Sequence, residues 1–356
     1  MANPTREDAK QALDSLIKKS RVHLYKPIQI AEILYRDRVY GDINLSNLED
    51  YRTKSKHWRD LICIPLLGRV CTSSAKFQDN LFDDNAVPPV LIEVLGKENR
   101  RTSGAVEAYI YSLFFGKHSQ LEHALNYCLE STKEDFDVKR FIDSFWDEPG
   151  LKRSLDKIYE IVVYALFSTL VDALEMQVEI SVNAEKIDML HEFSDFAKKV
   201  MCIDSDNLSY IQSAHVYRVG VTNAADRGLD MYSNWGPAIQ IKHLTLDVEL
   251  AENIVNSVSS DKIVIVCKEA ERDVILSLLT QIGWRDHIQD IVTEDDLVQW
   301  YEKALRGTYS DEIGNELISR LCAEIALEFP SVDTIPKVLK IRNYDQVSDE
   351  YWKSME

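Results

Sequence analysis

No run of about 20 uninterrupted apolar residues occurs in this 356-residue sequence, so a membrane-spanning helix is not expected. The longest apolar stretch, IVVYALFSTLVDAL from Ile161, is broken by Asp172 and reads as a buried helix. The opening residues MANPTREDAK lack the apolar segment of a secretory signal, and a cytoplasmic protein is expected. Cysteine is sparse: the six, at 63, 71, 128, 202, 267 and 322, form no C-x-x-C pair and none sits near a histidine at zinc-finger spacing. Buried free thiols are the expectation. The eight histidines include no H-E-x-x-H, and no G-x-x-x-x-G-K-[ST] occurs, which excludes a zinc-protease helix and an ATP-driven translocase of the P-loop type. Repeats and low-complexity segments are absent as well.

A surplus of positive charge is also missing. Lys and Arg total 41 against 59 Asp and Glu, a net charge of −18. That argues against undirected nucleic-acid binding, because phosphate contacts require Lys and Arg. The deficit is uneven, however. Residues 1–150 carry 21 basic and 23 acidic side chains, whereas 151–356 carry 20 and 36. Within 18–101 the balance reverses to 15 basic against 11 acidic. Local potential decides docking, so any DNA-binding face belongs to the N-terminal part.

Periodicity divides the chain. KPIQIAEILYRDRV (26–39) has a helical apolar face. LSNLEDYRTKSKHWRDLI follows, with Ser46 and Glu49 at capping-box spacing. A further helix is expected around 68–82, opening at Thr72 or Ser73, then a short one in VLIEVLG stopped by Gly96. Helices are expected through 151–180, and 184–201 reads as one amphipathic helix. Strand periodicity then appears at 215–222, 229–233 and 238–246, a helix at 248–258, a buried strand at 262–269, a helix at 271–283, a strand at 287–293 and a helix at 294–305. This order predicts an α+β or mixed α/β fold: a helical region over 1–150, a mixed sheet flanked by helices over 151–310, and a helical extension over 311–356.

Chemistry concentrates in ADRGLDMYSNWGPAIQIKHL, residues 225–244. Gln240 and Lys242 stand two apart on a strand and share a face, with Ile239 and Ile241 on the other. Asn234-Trp235-Gly236-Pro237 reads as a turn, so a hairpin brings Asp230 opposite Gln240 and Lys242. Mg²⁺, a hard cation, suits the carboxylate of Asp230, the side-chain oxygen of Gln240 and the carbonyl of Ile241. Lys242 is placed to position or deprotonate a water and to offset transition-state charge. The bland alternative is a solvated hairpin in which Lys242 pairs with Asp230. His243 is read as incidental.

This arrangement resembles the PD-(D/E)XK nuclease motif in the form where Gln replaces the middle acid. The D-x-G-x-D…Q-x-K layout, beginning at Asp226, is similar to that of Mrr-like restriction nucleases. Two departures matter: no Pro precedes Asp230, and Gln240 removes a negative charge. Another acid is then needed for the metal, from Asp226 or from Glu185 or Glu192 on the preceding helix.

The segments KPIQIAEILYRDR, LEDYRTKSKHWRD, IPLLGRVCTSSAKFQDNLF and ENRRTSGAVEAYIY resemble the HaeII family of type II restriction endonucleases. That resemblance implies Mg²⁺-dependent cleavage of double-stranded DNA at the palindrome 5′-RGCGCY-3′, with a cognate methyltransferase protecting the host. A palindromic site in turn favours a homodimer. Arg52, Lys54, Lys56, Arg59, Lys76 and Arg100 are the candidate DNA-binding residues, weighed against ordinary solvated helix faces and caps. Two other readings stand beside this one: a non-catalytic helical DNA-binding or regulatory protein, and a modification-dependent or repair nuclease of the same fold.

Overall fold

A computed structural model describes residues 4–20, 23–68, 70, 75–147, 151–219, 229–258, 260–281, 287–329, 335–348 and 352. Among these, strands lie between residues 177 and 292, with helices on both sides in the sequence. Contacts divide the chain into two compact units: one of 1–130, 139–158 and 322–356, the other of 131–138 and 159–321. The mixed α+β class expected from periodicity is the one observed.

The first unit is helical. Helices Arg6–Lys19, Tyr25–Tyr40, Pro89–Arg101 and Ala105–Glu130 supply much of a core containing Leu13, Ile28, Leu34, Leu95 and Phe114. The segment from 335 onward joins this core through Tyr344 and Trp352. A buried polar network ties it down. Arg342 grips Glu32 with both guanidinium branches at 2.7 and 2.9 Å, and the Tyr111 hydroxyl donates to the same carboxylate at 2.5 Å. Glu107, fully buried, accepts from Arg38 at 2.9 and 2.8 Å, from Asn99 at 2.6 Å and from the Tyr344 hydroxyl at 2.6 Å. Burial pushes the Glu32 carboxyl up, against the pull of Arg342. These carboxylates persist inside because each has its hydrogen bonds made.

Gly96 does not stop a helix; Pro89–Arg101 runs through it. Its role is close approach, since a Cβ there would lie 2.1 Å from Leu45 Cδ1. Nor does Ser46 cap a helix: Asn47 precedes Leu48–Tyr51, and the Ser46 hydroxyl donates to Glu93 at 2.6 Å. Thr72 and Ser73 lie outside the described residues.

The second unit carries two sheets. β1 (Gln177–Ser181) and β2 (Ser209–Ser213) form an antiparallel pair that periodicity missed. The expected helix through 180 ends at Ala173, where Glu175 turns the chain with φ +47° and QVEIS then alternates at period two. The single helix expected over 184–201 is instead broken into short turns, among them Ile187–Glu192 and Ser194–Phe196. Leu190 and Ala197 pack there with Ile203, Ile180 and Tyr210 of a small separate core.

The larger sheet has the order β3 (Val216–Arg218), β4 (Met231–Ser233), β5 (Ala238–Leu246), β6 (Ile263–Ala270), β7 (Ile288–Val292). Pairing is antiparallel up to β5 and parallel beyond it. Helices Val248–Ser257 and Arg272–Gln281 make the two crossovers, and Ile254, Ile275 and Leu279 pack on Ile263 and Ile265. Asp247 opens the first crossover helix by accepting from the Leu250 amide at 2.8 Å.

In the first unit, His118 is 4% exposed and stacks 5.7 Å from His23, with Phe114 at 4.4 Å. Its Nε2 has no hydrogen-bond partner among the described residues, and burial lowers its pKa from 6.5 to about 4. Between those values the unfolded chain holds the extra proton, so stability contributed by the neutral imidazole is complete above pH 6.5 and is lost as pH falls toward 4. Urea unfolding of wild type and His118→Phe should diverge by about 3 kcal/mol between pH 7 and pH 4. Parallel loss in the two proteins would show that another group sets the acid sensitivity.

Candidate active site

The β4–β5 hairpin is built by its turn. Gly236 takes φ +129°, open to glycine alone among common residues, and the Ser233 amide donates to the Pro237 carbonyl at 3.1 Å. Asn234 fixes the turn from the side: its amide nitrogen donates to Ser213 O, and its side-chain oxygen accepts from the His215 amide, both at 2.9 Å. With the turn set, Met231 pairs with Ile239 and Tyr232 with Ala238. One step further along that register, Asp230 faces Gln240.

Asp230 Oδ2 accepts from Gln240 Nε2 at 2.5 Å and from the backbone amide of Ile241 at 2.7 Å. Lys242 Nζ lies 3.7 Å from the same oxygen. The structure thus brings Asp230, Gln240 and Lys242 together. Their exposure is graded: Gln240 is 2% exposed, the Asp230 side chain 16% and that of Lys242 36%, so the group opens toward solvent at its ammonium end.

Among the described residues, Gln240 Oε1 is buried without a hydrogen-bond partner. An orphaned buried acceptor costs about 1–3 kcal/mol, so it marks a place where another group is expected to bind. Amide oxygen and carboxylate are both hard donors, the type that a divalent cation such as Mg²⁺ takes. Among the described residues no three His, Cys, Asp or Glu side chains gather into a metal-binding group. Asp226, expected as a further ligand, lies outside the described residues. Glu192 is exposed at the end of Ile187–Glu192, and Glu185 is exposed in the preceding turn; no hydrogen bond or ion pair links either to Asp230.

His243, read as incidental, is buried, with Nε2 3.0 Å from Glu294 Oε2 and the Tyr159 ring edge-on at 4.7 Å. Glu294 is 51 positions from His243, and no local pattern announces such a pair.

The candidate DNA-binding residues fare differently. Arg59 is fully buried, donating to Asp60 at 2.9 and 2.5 Å and to Gln29 at 3.2 Å, and packs toward Tyr25 and Phe77. Its charge is met inside the helical unit. Arg52 pairs with Asp79, and Arg100 with Asp37. Lys54 and Lys76 are exposed, and Lys56 is half-buried.

Comparison with known proteins places the chain in a family. The sequence profile of the HaeII restriction endonuclease family matches residues 9–344. The type II restriction enzyme HaeII of Haemophilus aegyptius is 58% identical over 327 residues, 92% of this chain and 93% of that protein. The type II restriction enzyme NgoBI of Neisseria gonorrhoeae is 55% identical over 342 residues, 95% of this chain and 97% of its own length. No solved structure matches the chain. Enzymes of this kind act on double-stranded DNA and generally use divalent metal ions. With a match this long, the non-catalytic reading falls away, and the chain belongs to the HaeII restriction endonuclease family, a type II site-specific deoxyribonuclease.

Proposed function

We propose that this enzyme hydrolyses both strands of DNA at the palindrome 5′-RGCGCY-3′, with Mg²⁺ at the Asp230 group, in the cytoplasm of a cell whose cognate methyltransferase shields the same sites. The observation that carries the chemical part is the convergence of Asp230, Gln240 and Lys242 on one strand pair, with a buried amide oxygen that has no partner among the described residues. The site sequence and the methyltransferase come from likeness to the family.

Asp230 and Gln240 hold the cation, joined by the acid that Asp226, Glu185 or Glu192 supplies. A cation held by these residues would supply polarisation of the scissile phosphate and a more acidic water. Asp230 is held ready by the Ile241 amide, so its carboxylate does not reorganise during the reaction. Lys242 contributes an ammonium beside the phosphate. It orients the attacking water and offsets the charge that builds on the phosphoryl oxygens. Water supplies the oxygen of the new phosphate end, one P–O ester bond breaks, and the departing oxygen takes a proton.

Asp230→Ala and Lys242→Ala should each remain folded and lose cleavage of unmethylated plasmid by on the order of 100- to 1,000-fold. EDTA should abolish wild-type cutting, and Mg²⁺ should restore it. Gln240→Glu should keep measurable activity because it supplies a carboxylate to the same cation. Near-wild-type rates in the Asp230 or Lys242 variant would remove this site.

Recognition falls to the helical unit in this reading, through the segment around Arg52 and Lys54. Arg52→Ala should weaken the specific duplex alone by about 1–3 kcal/mol if its guanidinium reads a guanine. Lys54→Ala should weaken all sequences alike and lower the salt slope by about one, as expected for a phosphate contact. Titrations at several salt concentrations separate the two, and unchanged affinity in both variants would place recognition elsewhere.

Two identical strands related by a two-fold axis are matched by a C₂ dimer bearing one Asp230 group for each strand. Sedimentation with the specific duplex and Ca²⁺ should give two chains per duplex. One chain per duplex, with both strands still cut in a single encounter, would eliminate the dimer.

A further inference from the structure

Lys242 stands at the last step of the β5–β6 ladder before a shift in register. It pairs with Cys267, and the next pair is Thr245 with Glu269, so β5 carries one residue more than β6 between them. The extra residue falls at His243–Leu244. Bulges are rare in parallel pairs, and beside active sites they re-aim a side chain.

This bulge is pinned from both strands. On β5, His243 is 8% exposed and its Nε2 lies at hydrogen-bond distance, 3.0 Å, from Glu294 Oε2. Glu294 is 4% exposed and opens helix Glu294–Arg306, whose start is fixed by the reciprocal Thr293–Asp296 cap. On β6, the Tyr159 hydroxyl donates to the carbonyl of Cys267, the residue paired with Lys242, at 3.0 Å. The same tyrosine ring lies edge-on against His243 at 4.7 Å. Packing alone does not call for such a pair. Apolar side chains of similar volume fill a buried site at least as well as a hydrogen-bonded imidazole and carboxylate, which must be stripped of water. What the polar pair adds is direction: it sets the position of the residue next to Lys242.

We propose that His243 and Glu294 are a positioning pair that holds the β5 bulge and so aims the Lys242 ammonium at the Asp230 carboxylate. The inference rests on the reading of Lys242 as a catalytic residue.

Full-length dimeric or monomeric enzyme, whichever the wild type is, serves for the test, with folding checked by circular dichroism. Single-turnover cleavage with Mg²⁺ and duplex binding with Ca²⁺ are measured side by side. Glu294→Leu should slow the cleavage step by on the order of 10- to 100-fold while duplex Kd moves by less than about twofold, as expected for a misplaced reacting group. Glu294→Gln, which keeps an acceptor for the imidazole N–H, should recover most of the rate. Should Glu294→Leu fail to fold, His243→Gln against His243→Leu carries the same comparison. Wild-type cleavage in the leucine variants would overturn the proposal. Equal losses in the glutamine and leucine variants would do the same, as would losses that follow weakened binding. Lys242→Ala separates the two levels. If that variant cleaves normally, the parent reading fails. If it is inactive while Glu294→Leu is fast, only the positioning pair is lost.

Discussion

The pairing of β4 with β5 is the constraint on which the site depends. Side chains alternate along a strand, so a slip of one residue would send Gln240 and Lys242 to the face now held by Ile239 and Ile241. Such a slip is resisted at three places. Gly236 permits the turn, Asn234 ties that turn to Ser213 and His215, and the Ile241 amide donates to Asp230 Oδ2 at 2.7 Å. On its other side β5 enters a parallel ladder of apolar partners, Ala238 with Ile263 and Gln240 with Ile265. Register in the core and geometry at the site are therefore one problem, solved together.

Much of this is legible in the sequence, because it depends on short-range repetition. Q-x-K at period two puts two side chains on one face, and a four-residue turn after the preceding strand brings Asp230 opposite. The crossover helices follow from the apolar spacing after Asp247 and Glu271. The missed features need distant partners. Glu294 meets His243 from 51 residues away, and one donor of the buried Arg59 is taken up by Gln29, 30 residues away. Gly96 resembles a helix stop yet serves a close approach by Leu45. Residues 177–181 are too few to outvote the long apolar helix before them.

The electrostatics of the site run against those of the half that carries it. Residues 151–356 hold 20 basic and 36 acidic side chains, yet the described group sets one carboxylate beside one ammonium. A divalent ion held there, as proposed, would make the cluster locally positive, as a phosphodiester requires. Replacing the middle acid of the motif by Gln240 moves the balance the same way. It lowers the repulsion that an approaching phosphate meets, and it leaves the ion fewer charged ligands.

The buried carboxylates of the helical unit bear on the order of events during synthesis. Glu32 and Glu107 emerge early, but Arg342, which grips the first, and the Tyr344 hydroxyl, which donates to the second, are made some 300 and 240 residues later. Until then, the nascent helices carry Glu32 without its guanidinium and Glu107 one donor short, and closing the core over them is costly. The polar network of the helical unit is thus complete only when residues 342 and 344 have joined the helices that carry Glu32 and Glu107.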